Sequence, residues 1–174
     1  MLKKILPSSA LALLLAAPPV AGGDVERAGF VVGGGGGYGY LWEGDFSSHG
    51  YALTFHVGVM ISSRTAMMLD TSAVCDHSTN PSVTICQSLF APAVQFWVTD
   101  RFWVKAGLGG SQDRAFSSVL DDSSKVGFGV LAAAGASVAR RGSYSLDLQT
   151  RLTTSRIEGV RSNTFAVLVT FNHE

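Results

Sequence analysis

The chain has 174 residues, 47% of them hydrophobic and 15% charged, with 13 basic and 13 acidic side chains. That length is one domain's worth, and the even balance excludes the strong positive field that nucleic-acid binding demands. The apolar fraction is high for a soluble protein, yet no apolar run reaches the roughly 20 residues of a membrane-spanning helix.

The first segment reads as a leader. Lys3 and Lys4 precede an apolar run from Leu11 to Ala17, then Pro18, Pro19 and the small residues Val20 to Gly23. This is the layout of a cleavable signal peptide, residues 1–22, ahead of a domain over residues 23–174. Losing Lys3 and Lys4 leaves 11 basic residues of the 13, against 13 acidic. No Cys at the junction invites a lipid anchor.

After the leader the sequence alternates with period two, the signature of strands. The first strand runs from Phe30 to Trp42 and contains Gly33 to Gly37. These glycines are not a phosphate-cradling loop, because no Lys with Ser or Thr follows; a bend or a close inter-strand approach is expected. In the second, Tyr51, Leu53, Phe55, Val57, Val59 and Ile61 oppose Ala52, Thr54, His56, Gly58 and Met60. The third sets Met67, Leu69, Thr71 and Ala73 against Met68, Asp70 and Ser72; the fourth sets Phe90, Pro92, Val94, Phe96 and Val98 against Ala91, Ala93, Gln95 and Trp97. Between them, Cys75 and Cys86 flank a polar stretch with Asn80 and Pro81, and in an exported chain they are expected to form a disulfide.

The fifth strand sets Phe102, Val104, Ala106 and Leu108 against Trp103, Lys105, Gly107 and Gly109. The sixth, from Gly127 to Val138, is Ala-rich, but Gly127, Gly129 and Gly135 oppose a helix there. The seventh alternates Tyr144, Leu146, Leu148, Thr150 and Leu152 with Ser145, Asp147, Gln149 and Arg151, and the eighth alternates Phe165, Val167, Val169 and Phe171 with Ala166, Leu168 and Thr170.

Eight strands joined alternately by short and long connections are the plan of an up-and-down barrel with turns on one side of a membrane and loops on the other. The short set is Ser62 to Arg64, Thr99 to Arg101 and Ala139 to Ser143; the long set is Glu43 to Gly50, Asp76 to Thr84, Gln112 to Ser124 and Thr153 to Ser162. Turn parity places Ile61 opposite Thr65, Asp70 opposite His56, Val98 opposite Phe102 and Lys105 opposite Gln95, so like faces meet like faces. The non-greasy face is Gly, Ala, Ser, Thr and a few charges, which suits a narrow eight-stranded lumen rather than a water-facing exterior rich in Lys and Glu. The greasy face therefore meets lipid, with aromatic girdles from Tyr38, Tyr40, Trp42 and Tyr51 on the outer side and Trp97, Phe102, Trp103 and Tyr144 on the periplasmic side.

In these features the chain resembles the small OmpA/OmpX-like outer-membrane barrels of Gram-negative bacteria, over nearly the whole mature chain. The resemblance implies an all-β, eight-stranded antiparallel transmembrane barrel in the cell outer membrane. It also implies that Phe165, Val167, Val169 and Phe171 form the C-terminal signal read by the barrel-assembly machinery, although Asn172, His173 and Glu174 follow the aromatic that family members usually end on.

Inward-facing His56, Asp70, Gln95, Lys105, Asp147 and Arg151 are expected to form a lumenal polar network, because a buried charge without a partner is costly. Catalysis is not expected. His49 with Ser47 and Ser48, and His77 with Asp76 and Ser78, offer residue types for hydrolysis, but neighbours on one loop rarely make a triad. No metal or other cofactor is expected. The function read from the sequence is a monomeric structural barrel that contacts outer-membrane lipid and presents surface loops for adhesion or partner binding. Its alternatives are a narrow gated channel, a lipid A-modifying enzyme and a soluble periplasmic ligand-binding barrel.

Overall fold

The computed structural model describes residues 27–76, 83–117 and 125–174; the leader and the connections 77–82 and 118–124 lie outside the described residues. Eight strands follow one another: β1 (Phe30–Glu43), β2 (Phe46–Ser62), β3 (Thr65–Asp76), β4 (Val83–Trp97), β5 (Phe102–Ser117), β6 (Lys125–Arg141), β7 (Tyr144–Ile157) and β8 (Val160–His173). Each pairs antiparallel with the next, and β1 pairs with β8, so the sheet closes into a barrel. Closure leaves no edge strand, the condition for β-structure in hydrocarbon.

The barrel is inside out. Along β8, Phe165, Val167, Val169 and Phe171 point outward, and Ala166, Leu168 and Thr170 point inward and are buried. Large outward side chains such as Phe55, Leu69, Phe90, Leu108 and Phe128 are all close to half exposed. A soluble monomer rarely leaves a contiguous apolar patch of more than a few hundred Å² uncovered, whereas here the whole waist is apolar, so the outer face is a lipid-facing belt.

The register matches the parity argument at the waist and departs from it at two turns. His56 lies opposite Asp70, Gln95 opposite Lys105, and the Val98 amide donates to the Phe102 carbonyl. Ile61, expected opposite Thr65, is instead bulged: Ser62 takes Thr65, and the shift between Met60 and Ser62 restores the pairing of His56 with Asp70. A second shift between Ser137 and Ala139 tightens the connection between β6 and β7 to Gly142 and Ser143. Bulges do this: one extra residue turns a tight hairpin without flipping the strand's faces.

Two of the expected long loops are corrected to two-residue turns. Glu43 to Gly50 contains only Gly44 and Asp45 as turn, and Thr153 to Ser162 contains only Glu158 and Gly159. Gly44, Glu158 and Gly159 all have positive φ, at 56°, 48° and 87°, the conformation that tight hairpin turns require. The strands accordingly run on past the lipid belt. β2 has 17 residues, about 56 Å of strand and about 40 Å of height at a 45° tilt, against an apolar band of about 25 Å. These hairpins form the rim of the barrel, and Arg27 and Glu174 lie at the opposite end, its base.

Cys75 and Cys86 are cross-strand partners on β3 and β4 and are joined by a disulfide. It closes a short loop at the rim, worth about 2–3 kcal/mol in the chain-entropy account. The Cys75→Ser/Cys86→Ser double variant should therefore still fold to a closed barrel. Its urea midpoint in detergent micelles should fall to that of the dithiothreitol-reduced wild type; failure to fold at all would make the disulfide a condition of assembly rather than a clamp.

Candidate functional site

The alternation that faces apolar residues to lipid aims a small set of charges into the lumen, and there they find partners across the barrel. Asp70 on β3 is the hub. Arg151 on β7, in the opposite wall, donates from Nη1 and Nη2 to its two carboxylate oxygens at 2.7 and 2.8 Å. Lys105 on β5 donates to the same carboxylate at 3.0 Å. The side chains of Asp70 and Lys105 are fully buried and that of Arg151 is 3% exposed, so bulk water does not screen this triad, and its geometry is the bidentate Arg–carboxylate fork.

Asp147, four residues along β7 toward the base from Arg151, accepts a hydrogen bond from Trp103 Nε1 at 2.7 Å. Lys105 Nζ lies 5.3 Å from the Trp103 ring centroid, a cation–π contact that links the two halves. His56 and Gln95 stand opposite Asp70 and Lys105 in the ladder, yet His56 Nδ1 and Gln95 Oε1 are buried without hydrogen-bond partners. These two residues line the triad and do not close it.

Trp97 and Trp103 correct the sequence reading that set them in a lipid-facing girdle: they are 0% and 1% exposed and fill the lumen toward the base. Parity already contained this. Trp97 shares the face of Gln95 and Trp103 shares that of Lys105, so position near a strand end misled where alternation did not. Phe102 and Tyr144, the other members of that girdle, do face outward.

Below the tryptophans a second cluster, absent from the sequence reading, plugs the base. Glu174 Oε2 accepts from Arg27 Nε at 2.8 Å and from Arg140 Nη2 at 2.5 Å. Arg27 Nη2 donates to the Asp100 carbonyl at 2.6 Å, and its guanidinium sits 4.8 Å from the centroid of the Trp97 ring. The ring nitrogen of Trp97 has no hydrogen-bond partner. The residues after Phe171 thus have a structural use: Asn172 and Glu174 are buried at the base, and the Glu174 amide bonds the Ser143 carbonyl at 2.8 Å.

Above the triad the lumen is filled by small polar side chains, among them Thr54, Gln87, Thr153, Ser155 and Thr164, interleaved with apolar ones. Leu41, Ala52, Val74, Ala166 and Leu168 form one buried cluster, and Leu89, Ala91 and Leu131 form another. The cavity between them and Arg151 is about 10 Å³, room for roughly one water. Gln87 Nε2 donates to Ser155 Oγ at 2.9 Å across the lumen, and Ser48 bonds Asp76 on the neighbouring strand.

Of the candidate catalytic residues, Ser47 shares the outward face of His49, and Ser48 and His49 diverge. Ser48 points inward to Asp76, whereas His49 points outward, its ring 5.8 Å from that of Tyr38. Adjacent residues of a strand face opposite sides, so this Ser and His cannot exchange a proton directly. His77 and Ser78 lie outside the described residues. Among the described residues no group of three or more His, Cys, Asp or Glu could hold a metal ion.

No protein-family model and no curated protein matches this chain. Solved structures do match in fold. Neisserial surface protein A superposes with a TM-score of 0.61 at 14% identity, over 84% of this chain and 97% of that one. Ail, the attachment invasion locus protein of Yersinia pestis, superposes with a TM-score of 0.57 at 11% identity, over 84% and 99%. A second Ail structure, in complex with the heparin analogue sucrose octasulfate, gives 0.54 at 13% identity, over 84% and 99%. These neighbours are small outer-membrane eight-stranded barrels, and the eight-stranded antiparallel barrel is the fold of this chain.

Proposed function

We propose that the protein is a monomeric, non-conducting barrel of the cell outer membrane that works through its rim, as a structural element and a platform for adhesion or partner binding. The observation that carries this reading is the filled lumen. The Asp70–Lys105–Arg151 triad spans opposite walls, the tryptophans and the Arg27–Glu174 cluster stop the base, and the space left above the triad is about one water in size. Among the described residues these plugs occupy the lumen from the base to above the waist, which supports action at the outer surface. The outward apolar belt supports residence in lipid over a soluble ligand-binding barrel, and the divergence of Ser48 and His49 supports a role without catalysis.

In this reading residues 1–22 are removed on export, and the outward row Phe165, Val167, Val169 and Phe171 is the signal handed to the barrel-assembly machinery. The connections between β3 and β4 and between β5 and β6 are the candidates for partner binding, since they are longer than the other two rim connections, which are two-residue turns. The test has two readouts. Outer-membrane fractions run unheated and boiled on a denaturing gel should show a band that shifts on boiling, and the purified barrel should be silent in planar bilayers. A soluble, unshifted band would overturn membrane residence, and steady conductance would overturn the filled-lumen reading in favour of a channel. Replacing 77–82 and 118–124 by Gly-Ser segments should keep the heat shift and abolish cell-surface adhesion.

A further inference from the structure

At the rim, on the outer face of the β7–β8 hairpin, Arg156 and Arg161 are directly opposed in the ladder, and both are exposed. Like charges facing one another across a strand pair repel, and among the described residues no ion pair joins either arginine to a carboxylate. The pair sits at a defined height. The next outward pair toward the waist is Thr154 and Asn163, joined by a hydrogen bond of 3.0 Å, and the one after is Leu152 and Phe165, where the apolar belt begins.

Beside Arg156 on β6 lies Phe128, its ladder partner, with Val130 next along the same face. These apolar side chains are 55% and 45% exposed. Together with Thr154, Arg156 and Arg161 they line an open groove of about 360 Å³ on the outside of the barrel. The groove is amphipathic along the membrane normal, with an apolar wall continuous with the belt and a doubly cationic head at the level where hydrocarbon gives way to headgroups.

We infer that this groove seats one phosphorylated lipid of the outer leaflet, its acyl chain against Phe128 and Val130 and its phosphate between the guanidiniums of Arg156 and Arg161. A single interfacial arginine needs no such ligand, because it can extend to water. Two held face to face need a shared anion, and the planar forks of two arginines match the oxygens of one phosphate. Free phosphate would satisfy the charges but leave the apolar wall unused, which favours a lipid. The inference rests on membrane residence and names a lipid partner for the barrel.

The experiment uses the full mature barrel refolded in neutral phosphatidylcholine nanodiscs doped with bisphosphorylated or fully dephosphorylated lipid A, with retained lipid read by native mass spectrometry. Wild type should retain the phosphorylated form about tenfold better, the factor expected for one strong charge-assisted contact. Arg156→Gln/Arg161→Gln should fall to the dephosphorylated level, while Arg64→Gln/Arg101→Gln, the same charge change at exposed turns of the base, should retain it like wild type. Equal retention of the two lipids by wild type, or unchanged retention in the Arg156→Gln/Arg161→Gln variant, would overturn the inference. Displacement by an equal concentration of inorganic phosphate would overturn the lipid assignment. A chain that never becomes heat-modifiable in neutral lipid would refute membrane residence itself; a folded barrel without phosphate preference would refute only the lipid site.

Discussion

Replacing Asp70 by Ala is expected to lower the free energy of unfolding by about 3–5 kcal/mol, the range for breaking a buried ion pair by removing one partner. The size follows from what remains. Asp70 is the only carboxylate that pairs with Lys105 and Arg151 among the described residues, through three hydrogen bonds. Without it two buried cations are left without a counter-charge, beside a cavity with room for about one water. The converse variant separates loss of a charge from loss of a network: Asp70→Leu/Lys105→Met/Arg151→Met removes all three charges and keeps the volume. Such replacements are often neutral or stabilising, so the triple variant should recover most of the stability. Urea titration in lipid vesicles, followed by the unheated gel band, measures both. A single-variant cost below about 1 kcal/mol, the size of an exposed pair, would mean that water reaches the lumen and screens the triad.

The waist of this barrel was legible in the sequence, and the ends were not. Lipid on one side and a narrow lumen on the other impose strict alternation, so Phe165 to Phe171 and Tyr144 to Leu152 read directly as strand, with the correct faces. Past the belt the outward face meets water and the inward face is packed with small polar side chains such as Thr153 and Ser155, so alternation decays into runs such as Ser47–Ser48–His49 and Thr153–Thr154–Ser155, and those extensions read as loops. A local signal for the tight turns was present in Gly44–Asp45 and Glu158–Gly159, where glycine supplies positive φ. The lumenal charges were readable one by one from parity, but their partners were not: Asp70 and Arg151 are 81 residues apart and meet only because the sheet closes. The base cluster left no periodic trace at all, since Arg27, Asp100 and Glu174 lie outside the strands and Arg140 follows a bulge.

The five consecutive glycines are the feature that sequence reasoning handled least, and the structure gives them separate roles by parity. Gly35 and Gly37 face the seam with β8 so closely that a Cβ would lie 2.0 Å from the Val169 and Val167 carbonyl oxygens and 2.7 and 2.8 Å from the Cα atoms of Thr170 and Leu168. The obstacles are backbone, which cannot rotate aside as a side chain could. Their neighbours differ: a Cβ on Gly34 or Gly36 would come no nearer than 3.3 or 3.4 Å to anything. Gly36→Ala should therefore be tolerated or slightly stabilising, by up to about 1 kcal/mol, through a stiffer unfolded chain. Gly35→Ala/Gly37→Ala should cost at least about 1–3 kcal/mol per site as overpacking. It should cost more in effect, because the strain falls on the β1–β8 ladder that closes the barrel, and each backbone group left unpaired in hydrocarbon costs several kcal/mol. The double variant is expected to give no heat-modifiable band after refolding in vesicles, while Gly34→Ala/Gly36→Ala gives a normal one. Equal behaviour of the two pairs would show that the run of glycines serves flexibility alone, and that close approach at the seam is not what it is for.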